Sequence, residues 1–331
     1  MKKGLLLINL GTPDSANLLD IQRFLRQFLM DKRVIDLPFF IRWILVYCLI
    51  IPFRAKNTAH AYQSVWTEHG SPLMVYSQDL IQRIQKSLNN HCQVALGMRY
   101  GSPSIELALN ELKECDEITV LPLYPQYSSA ATGSSIEEVM RVLAQQETIP
   151  SLRIIRDFYC DPAYIAAQAQ LIRKHLSDSS HLLLSYHGLP ERQIIKSGCK
   201  EICSGVCPSN NQNNRACYRA QCFETSRLLA AELGLKTEQY TTAFQSRLGK
   251  TPWIQPYTDD VLSELIQRGV THLAVSCPSF TADCLETIEE IGMRLKEQWL
   301  NLGGESFSLI PCLNSDENWV NALLNLWIKN Q

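Results

Sequence analysis

This sequence has no surplus of charge of either sign. Lys and Arg total 31 against 33 Asp and Glu among 331 residues, so the basic excess that draws a chain to nucleic acid is missing and small or apolar ligands become the expected partners. A membrane-spanning run is also missing. The most apolar stretch, VIDLPFFIRWILVYCLIIPFRAK, is broken by Asp36, Pro38, Arg42 and Pro52. Its longest uncharged piece, from Trp43 to Phe53, falls short of the roughly 20 residues a spanning helix needs. The opening MKKGLLLINLGTPD has an apolar run of only about seven residues, which meets Gly-Thr-Pro-Asp where a secretory signal would place a small-residue cleavage site. That run is expected to be a buried first strand of a cytoplasmic protein. Twelve cysteines in such a compartment point to reduced thiols or metal ligands rather than disulfides.

With 46% hydrophobic residues the chain can bury two ordinary cores, and its two halves share four phrases in the same order. Setting Leu5-Leu6-Leu7 over Leu182-Leu183-Leu184 puts Gly11 over Gly188 and Pro13 over Pro190. ALGMRYGSP answers AFQSRLGKTP, with Arg99 over Arg247. ITVLPLYPQYSSAATGSSIEEV answers LAVSCPSFTADCLETIEEI, and IIRDFYCDPAYIAA answers LIPCLNSDENWVNAL. Each phrase is a β-rich run, then loop signals, then a helical period. The pattern predicts an internal duplication: two similar doubly wound, Rossmann-like α/β domains with parallel sheets flanked by helices, at residues 1–170 and 171–331. Ligands in such folds bind beyond the carboxyl ends of the strands. One position breaks the repeat there, because Leu10 falls opposite His187.

His187 follows LLLSY and precedes Gly-Leu-Pro, which places an imidazole able to take a proton or bind a metal at a strand tip, with Gly188 allowing a sharp turn. In the corresponding loop of the same half, CPSFTADCLETIEEI opens a helix through a Thr281/Asp283 capping signal, with Glu286 in the first turn. Glu289 and Glu290 follow at the three- and four-residue spacings that share one α-helical face, an acidic track leading inward from the surface or ordinary acidic bias at a helix start.

The phrases NLGTP, YGSP, LYPQYS, SYHGLP, FQSRLGKTPWIQPYTD and CPSFTADCLETIEEI resemble the signatures of bacterial ferrochelatases, in order along essentially the whole chain. The resemblance implies a chelatase-like fold and the insertion of Fe2+ into protoporphyrin IX, or coproporphyrin III, in the last step of haem biosynthesis, without a nucleotide. It implies that His187 and Glu286 face one another across a porphyrin cleft, one coordinating or delivering the metal and the other taking protons, with Leu10 kept apolar against the macrocycle. Porphyrin contacts are expected from Leu10, Tyr100, Tyr124, Tyr127, Ser128 and Trp253, and from the cationic FLRQFLMDKRV segment through Arg26, Lys32 and Arg33. The apolar stretch at 34–53 resembles the family's mobile lip, a candidate for peripheral contact with the inner face of a membrane. A planar porphyrin hides its two pyrrole N–H groups, so the protein is expected to bend it, at a cost of about 1–5 kcal/mol.

SGCKEICSGVCPSNNQNNRACYRAQC, within an insert at about 197–222, holds Cys199, Cys203, Cys207, Cys217 and Cys222. Thiols at this density among Gly, Asn and Ser suggest a four-thiolate zinc or iron–sulfur centre. Some ferrochelatases carry a [2Fe-2S] cluster, and the resemblance tips the choice that way. Cys199, Cys203, Cys207 and Cys217 are the expected ligands, with Cys222 the alternative because its Y-x-x-x-C phrase recurs in cluster-free relatives.

Overall fold

The computed structural model describes residues 1–331 except 248 and 250, and the chain divides into two units. The first holds residues 1–124, 128–157 and 327–331, the second 125–127 and 158–326.

In the first unit the chain order is β1 (Lys3–Thr12), α1 (Leu18–Leu29), α2 (Phe39–Ile44), α3 (Ile51–Val65), α4 (Pro72–Leu88), β2 (Gln93–Gly101), α5 (Ile105–Glu111), β3 (Glu117–Pro122), α6 (Ser134–Leu143) and β4 (Ser151–Ile154). The strands form one parallel sheet in the order β2-β1-β3-β4. β1 is central, which is why Leu5, Leu6, Leu7 and Ile8 form an unbroken apolar run with no exposed surface. On one face Leu6 and Ile8 pack with Ile105, Ala108 and Leu109 of α5 and Val139, Val142 and Leu143 of α6.

The second unit repeats the scheme with α7 (Pro162–His175), β5 (His181–His187), α8 (Glu191–Lys196), α9 (Tyr218–Leu233), β6 (Tyr240–Gln245), α10 (Thr258–Gln267), β7 (His272–Ser276), a π-wound helix over Glu286–Leu295 that runs into α11 (Lys296–Asn301), β8 (Ser306–Leu309) and α12 (Glu317–Lys329). Its parallel sheet has the order β6-β5-β7-β8, the first sheet's order translated. Small features repeat too. The amide of Met98 donates to the Pro103 carbonyl at 2.7 Å, and that of Phe244 to the Pro256 carbonyl at 2.8 Å. The division falls at 157/158, ahead of the expected 170/171. α7 packs on α9, the Tyr164 hydroxyl donates to the Pro278 carbonyl at 2.7 Å, and the Phe158, Tyr164 and Trp319 rings stack together, so α7 belongs to the second core.

The apolar segment at 34–53 takes a mixed form. α2, a π-wound stretch over Leu45–Ile50 and the start of α3 are anchored by Val46 and Ile51 against Leu29 and Ala55. Outward they leave Phe39, Phe40 and Phe53 exposed at 65%, 70% and 74%, with Ile41, Trp43 and Leu49 beside them. Among the described residues no helix is long and apolar enough to cross a membrane.

Candidate active site at the tip of β5

His187 is the last residue of β5 and pairs in register with Gln245 of β6. Its backbone is held on both sides: its amide donates to Ser279 Oγ at 3.0 Å and its carbonyl accepts from the Tyr218 hydroxyl at 2.8 Å. The ring lies 6.5 Å from that of Trp253 and 6.2 Å from that of Phe280. Nδ1 is 2.6 Å from the Gly188 carbonyl oxygen. A carbonyl can only accept, so Nδ1 carries the hydrogen and Nε2 keeps its lone pair. The half-buried imidazole is thus fixed as a base or ligand through one nitrogen.

Gly188 is required for close approach rather than for a left-handed backbone. A Cβ there would lie 2.8 Å from the Gln245 carbonyl oxygen and 3.2 Å from Trp253 Cε3. Its counterpart Gly11 needs both freedoms: φ is +108°, and a Cβ would lie 1.7 Å from the Tyr100 carbonyl oxygen.

Glu286 opens the helix that follows β7, and that helix is π-wound. At roughly 4.4 residues per turn the fourth neighbour stays near the line of the first, and the third swings about a third of a turn away. The shared α-helical face expected for Glu286, Glu289 and Glu290 therefore splits. Glu289 pairs with Arg294 at 2.9 Å. Glu290 instead receives the Ser246 amide at 2.8 Å on one oxygen and the Ser246 hydroxyl at 2.7 Å on the other. Burial raises the pKa of Glu290 above the ordinary glutamate value; the Ser246 hydrogen bonds and the nearby His187 oppose that rise, and the negative Glu286 adds to it. The Cys284 thiol hydrogen-bonds the Glu286 carboxylate and is pushed well up, by burial first and by that charge second. The expected Thr281/Asp283 cap takes another form. Asp283 is buried, accepting from the Thr287 hydroxyl at 3.0 Å and from the Asn314 amide at 2.7 Å.

Trp253 stands beside His187 as described, held by the Pro190–Trp253 bridge. Tyr127 is half-buried, its amide given to Gln221 at 2.6 Å, and Ser128 caps the turn at Ser129 by accepting from the Ala131 amide at 3.1 Å. Leu10 is half-buried at the end of β1, and Tyr124 is half-buried with its phenol pKa raised by burial. Tyr100 departs from expectation: its ring is buried, and its hydroxyl is committed to Asp31 at 2.8 Å. Asp31 also takes Arg99 Nη2 at 2.8 Å, so Arg99 serves the same internal network. Arg33 and Lys32 are drawn to Glu137 at 2.5 and 2.6 Å, and Arg33 also reaches Ser129 at 2.8 Å. Arg26 is exposed, 5.7 Å over the Tyr47 ring.

The insert cysteines gather at the start of α9. Cys217 and Cys199 are hydrogen-bonded partners, Cys203 and Cys217 lie within electrostatic reach of Cys207, and so do Cys207 and Cys217 of Cys222. Burial pushes the Cys207 and Cys217 thiols up to about 12 and about 11. Arg219, 2% exposed, donates to Cys207 Sγ at 2.9 Å, to the Gly205 carbonyl at 2.7 Å and to the Gln255 carbonyl at 2.8 Å. Among the described residues, no three of His, Cys, Asp or Glu are drawn together as metal ligands.

In the phrase AFQSRLGKTP the repeat aligns Arg247 with Arg99 and Gly249 with Gly101, and Arg247 lies 4.2 Å over the Tyr257 ring with Asp259 at 3.3 Å. Its neighbours Gln245 and Ser246 are the ones that reach the site. The readable signal was two polar residues directly ending a strand whose partner strand ends in the histidine.

The family model described as Ferrochelatase matches residues 2–331. Ferrochelatase from Legionella pneumophila (strain Paris) is 60% identical over 323 residues, 98% of each chain. Ferrochelatase from Coxiella burnetii (strain CbuK_Q154) is 50% identical over 332 residues, covering 98% of this chain and 93% of that one. Among solved structures, SirB from Bacillus subtilis with Fe3+ superposes with a TM-score of 0.57 at 13% identity, over 100% of this chain and 96% of that one. The sirohydrochlorin chelatase SirB from Bacillus subtilis subspecies spizizenii in complex with cobalt gives 0.53 at 14% identity, over 98% and 93%. At such identities the likeness speaks for the fold, a pair of parallel sheets covered by helices.

Proposed function

This chain belongs to the ferrochelatase family and inserts ferrous iron into a porphyrin for haem synthesis; we propose that His187 and Glu286 carry out that insertion, with protoporphyrin IX as the porphyrin. Metallation exchanges two pyrrole protons for one Fe2+ bound by four nitrogen lone pairs, so the enzyme must take up protons while it releases a metal. His187 suits the first task. With Nδ1–H directed at the Gly188 carbonyl, Nε2 accepts the two pyrrole protons in turn, releasing the first to solvent before taking the second, and each resulting imidazolium strengthens the Nδ1–H···O=C hydrogen bond. Glu286 suits the second, since a hard carboxylate holds Fe2+ loosely enough to let it pass to the ring. Glu290, within reach of both charges, extends the acidic route behind them.

The observation that carries the assignment to His187 is its fixed tautomer at a strand tip. The test is anaerobic incubation with Fe2+ and protoporphyrin IX, following loss of porphyrin fluorescence. His187→Ala and Glu286→Ala are expected to keep the fold and lose about a hundredfold or more in turnover; full activity in His187→Ala refutes the assignment. Coproporphyrin III run in parallel decides between the two porphyrins by kcat/KM.

In the same reading Cys199, Cys203, Cys207 and Cys217 hold a [2Fe-2S] cluster, with Cys222 as the alternative fourth ligand. The donor chemistry fits. Arg219 is a buried cation whose hydrogen bonds go to carbonyls and to one sulfur, a setting that favours an anionic thiolate cluster beside it. Such a cluster supplies one-electron redox chemistry and cross-links the insert; metal insertion does not run through it. The protein is placed in the cytoplasm, and Phe39, Phe40 and Phe53 are available for peripheral contact with a membrane. Retention on phospholipid vesicles that survives replacing all three by serine removes that contact.

A further inference from the structure

We propose that Gln245 and Ser246, where β6 ends, are positioning residues that hold the histidine turn and the acidic helix in one register. The proposal rests on the reading that His187 and Glu286 perform the insertion, and it concerns what keeps those two groups set relative to each other. Gln245 is buried and uses three of its polar atoms. Its backbone carbonyl accepts from the Gly188 amide at 2.8 Å, directly beside the imidazole. Its side-chain oxygen accepts from the Ser185 hydroxyl at 2.8 Å, two residues back along β5. Its side-chain nitrogen donates to the Glu286 carbonyl at 2.9 Å. One planar amide thus ties the strand that bears the base to the first residue of the helix that bears the carboxylate.

Ser246 completes the arrangement from the next position. Its amide and hydroxyl donate to the two different oxygens of Glu290, so the carboxylate can neither rotate nor withdraw without losing a bond. Both donors face the same way because Ser246 has φ of +67°, a conformation that a non-glycine residue adopts at a cost and that persists where surrounding structure enforces it. The chemistry required at each position is narrow. Position 245 needs an acceptor and a donor on one side chain: glutamate keeps the acceptor and loses the donor, and methionine has no donor and only a weak acceptor. Position 246 needs a hydroxyl on a left-handed backbone; glycine supplies the backbone alone.

That difference separates positioning from mere support. Ser246→Gly relieves the backbone and removes the hydroxyl, so its melting temperature is expected to equal or exceed that of the parent while kcat/KM for Fe2+ falls roughly 10-fold, the loss of one hydrogen bond to a charged group. Ser246→Asn, which tolerates the left-handed backbone and restores a side-chain donor, is expected to recover part of that loss. Gln245→Glu is expected to lower kcat/KM for Fe2+ by roughly 100-fold, as two groups held to within an ångström fall out of alignment, while KM for the porphyrin stays within about a factor of two of the parent. The measurements are anaerobic steady-state kinetics with each substrate varied, alongside thermal unfolding, with His187→Ala in the same series. Parental kinetics in both Ser246→Gly and Gln245→Glu, beside an inactive His187→Ala, overturn the positioning role alone. A fully active His187→Ala instead removes the reading on which it rests. Activity in Ser246→Gly that falls only in step with a lowered melting temperature also overturns the proposal, because ordinary destabilisation then accounts for it.

Discussion

Replacing Gly188 by alanine tests whether the strand tip that carries His187 must be as tightly packed as it is. The added Cβ would lie 2.8 Å from the Gln245 carbonyl oxygen and 3.2 Å from Trp253 Cε3. Relaxed carbon–oxygen contacts begin near about 3.3 Å, so the tip must yield by about half an ångström. It cannot yield at Gln245 without lengthening the 2.8 Å bond from the Gly188 amide, and this displacement passes to the adjacent imidazole. Overpacking of this size costs about 1–3 kcal/mol, or about 2–10 °C in melting temperature. Since a 1 Å misplacement of a reacting group costs roughly 100-fold, half that distance is worth roughly 10-fold in kcat. The assay pairs anaerobic Fe2+ insertion with thermal unfolding followed by circular dichroism. Gly205→Ala is the control, because a Cβ there meets nothing within 4 Å. Turnover within a factor of two of the parent and an unchanged melting point in Gly188→Ala would refute the reasoning.

Asp31 is half-buried and holds Arg99, Tyr100 and Ser134 together. Burial raises its pKa, but the hydrogen bonds from Ser134, the Arg33 amide and Tyr100, together with the charge of Arg99, outweigh burial and leave it below the ordinary aspartate value. A lowered folded value means that this stabilisation is present above the unfolded pKa of about 3.9 and is lost as pH falls through the folded one. Asp31→Asn is therefore expected to cost about 1–2 kcal/mol at neutral pH, the charge-assisted part of its bonds to Arg99, Tyr100 and Ser134, and to flatten the decline of urea-unfolding free energy in acid; an unchanged acid limb contradicts this. Protein purified anaerobically is expected to contain about two irons and two sulfides per chain with visible charge-transfer absorption, and Cys207→Ser to lose both. A colourless, zinc-loaded parent rules the cluster out.

How far the chain could be read in advance depends on where each residue's partners lie. The apolar runs at Leu5–Ile8 and Leu182–Leu184 mark strands buried on both faces because burial acts on every residue of such a strand, and the duplicated phrases announced two sheets of one design. The imidazole at 187 stood out because its counterpart is a leucine. By contrast, nothing local in ETIEEIGMRL distinguishes a π-wound helix from an α-helix: both bury Ile291 and Leu295, and only the winding turns Glu289 away from the line of Glu286. The partners of Tyr100 and Arg33 were hidden for a related reason. Asp31 and Glu137 are 69 and 104 residues away from them, and neither the strand end at Tyr100 nor the loop after α1 at Arg33 says whether a side chain turns outward or back into its own unit. The Gln245 and Ser246 contacts likewise cross from one strand end to a helix about 40 residues on.

The glycine contact described at Gly188 has a twin in the first unit, where Leu10 stands in place of the histidine and Gly11 presses against the Tyr100 carbonyl. Holding a residue still at this perch is therefore inherited from the architecture, and the reaction only chose what to seat there. A lineage with two such perches is free to try new chemistry at one while the other keeps its packing role, and a leucine at 10 beside a histidine at 187 is what such freedom leaves behind.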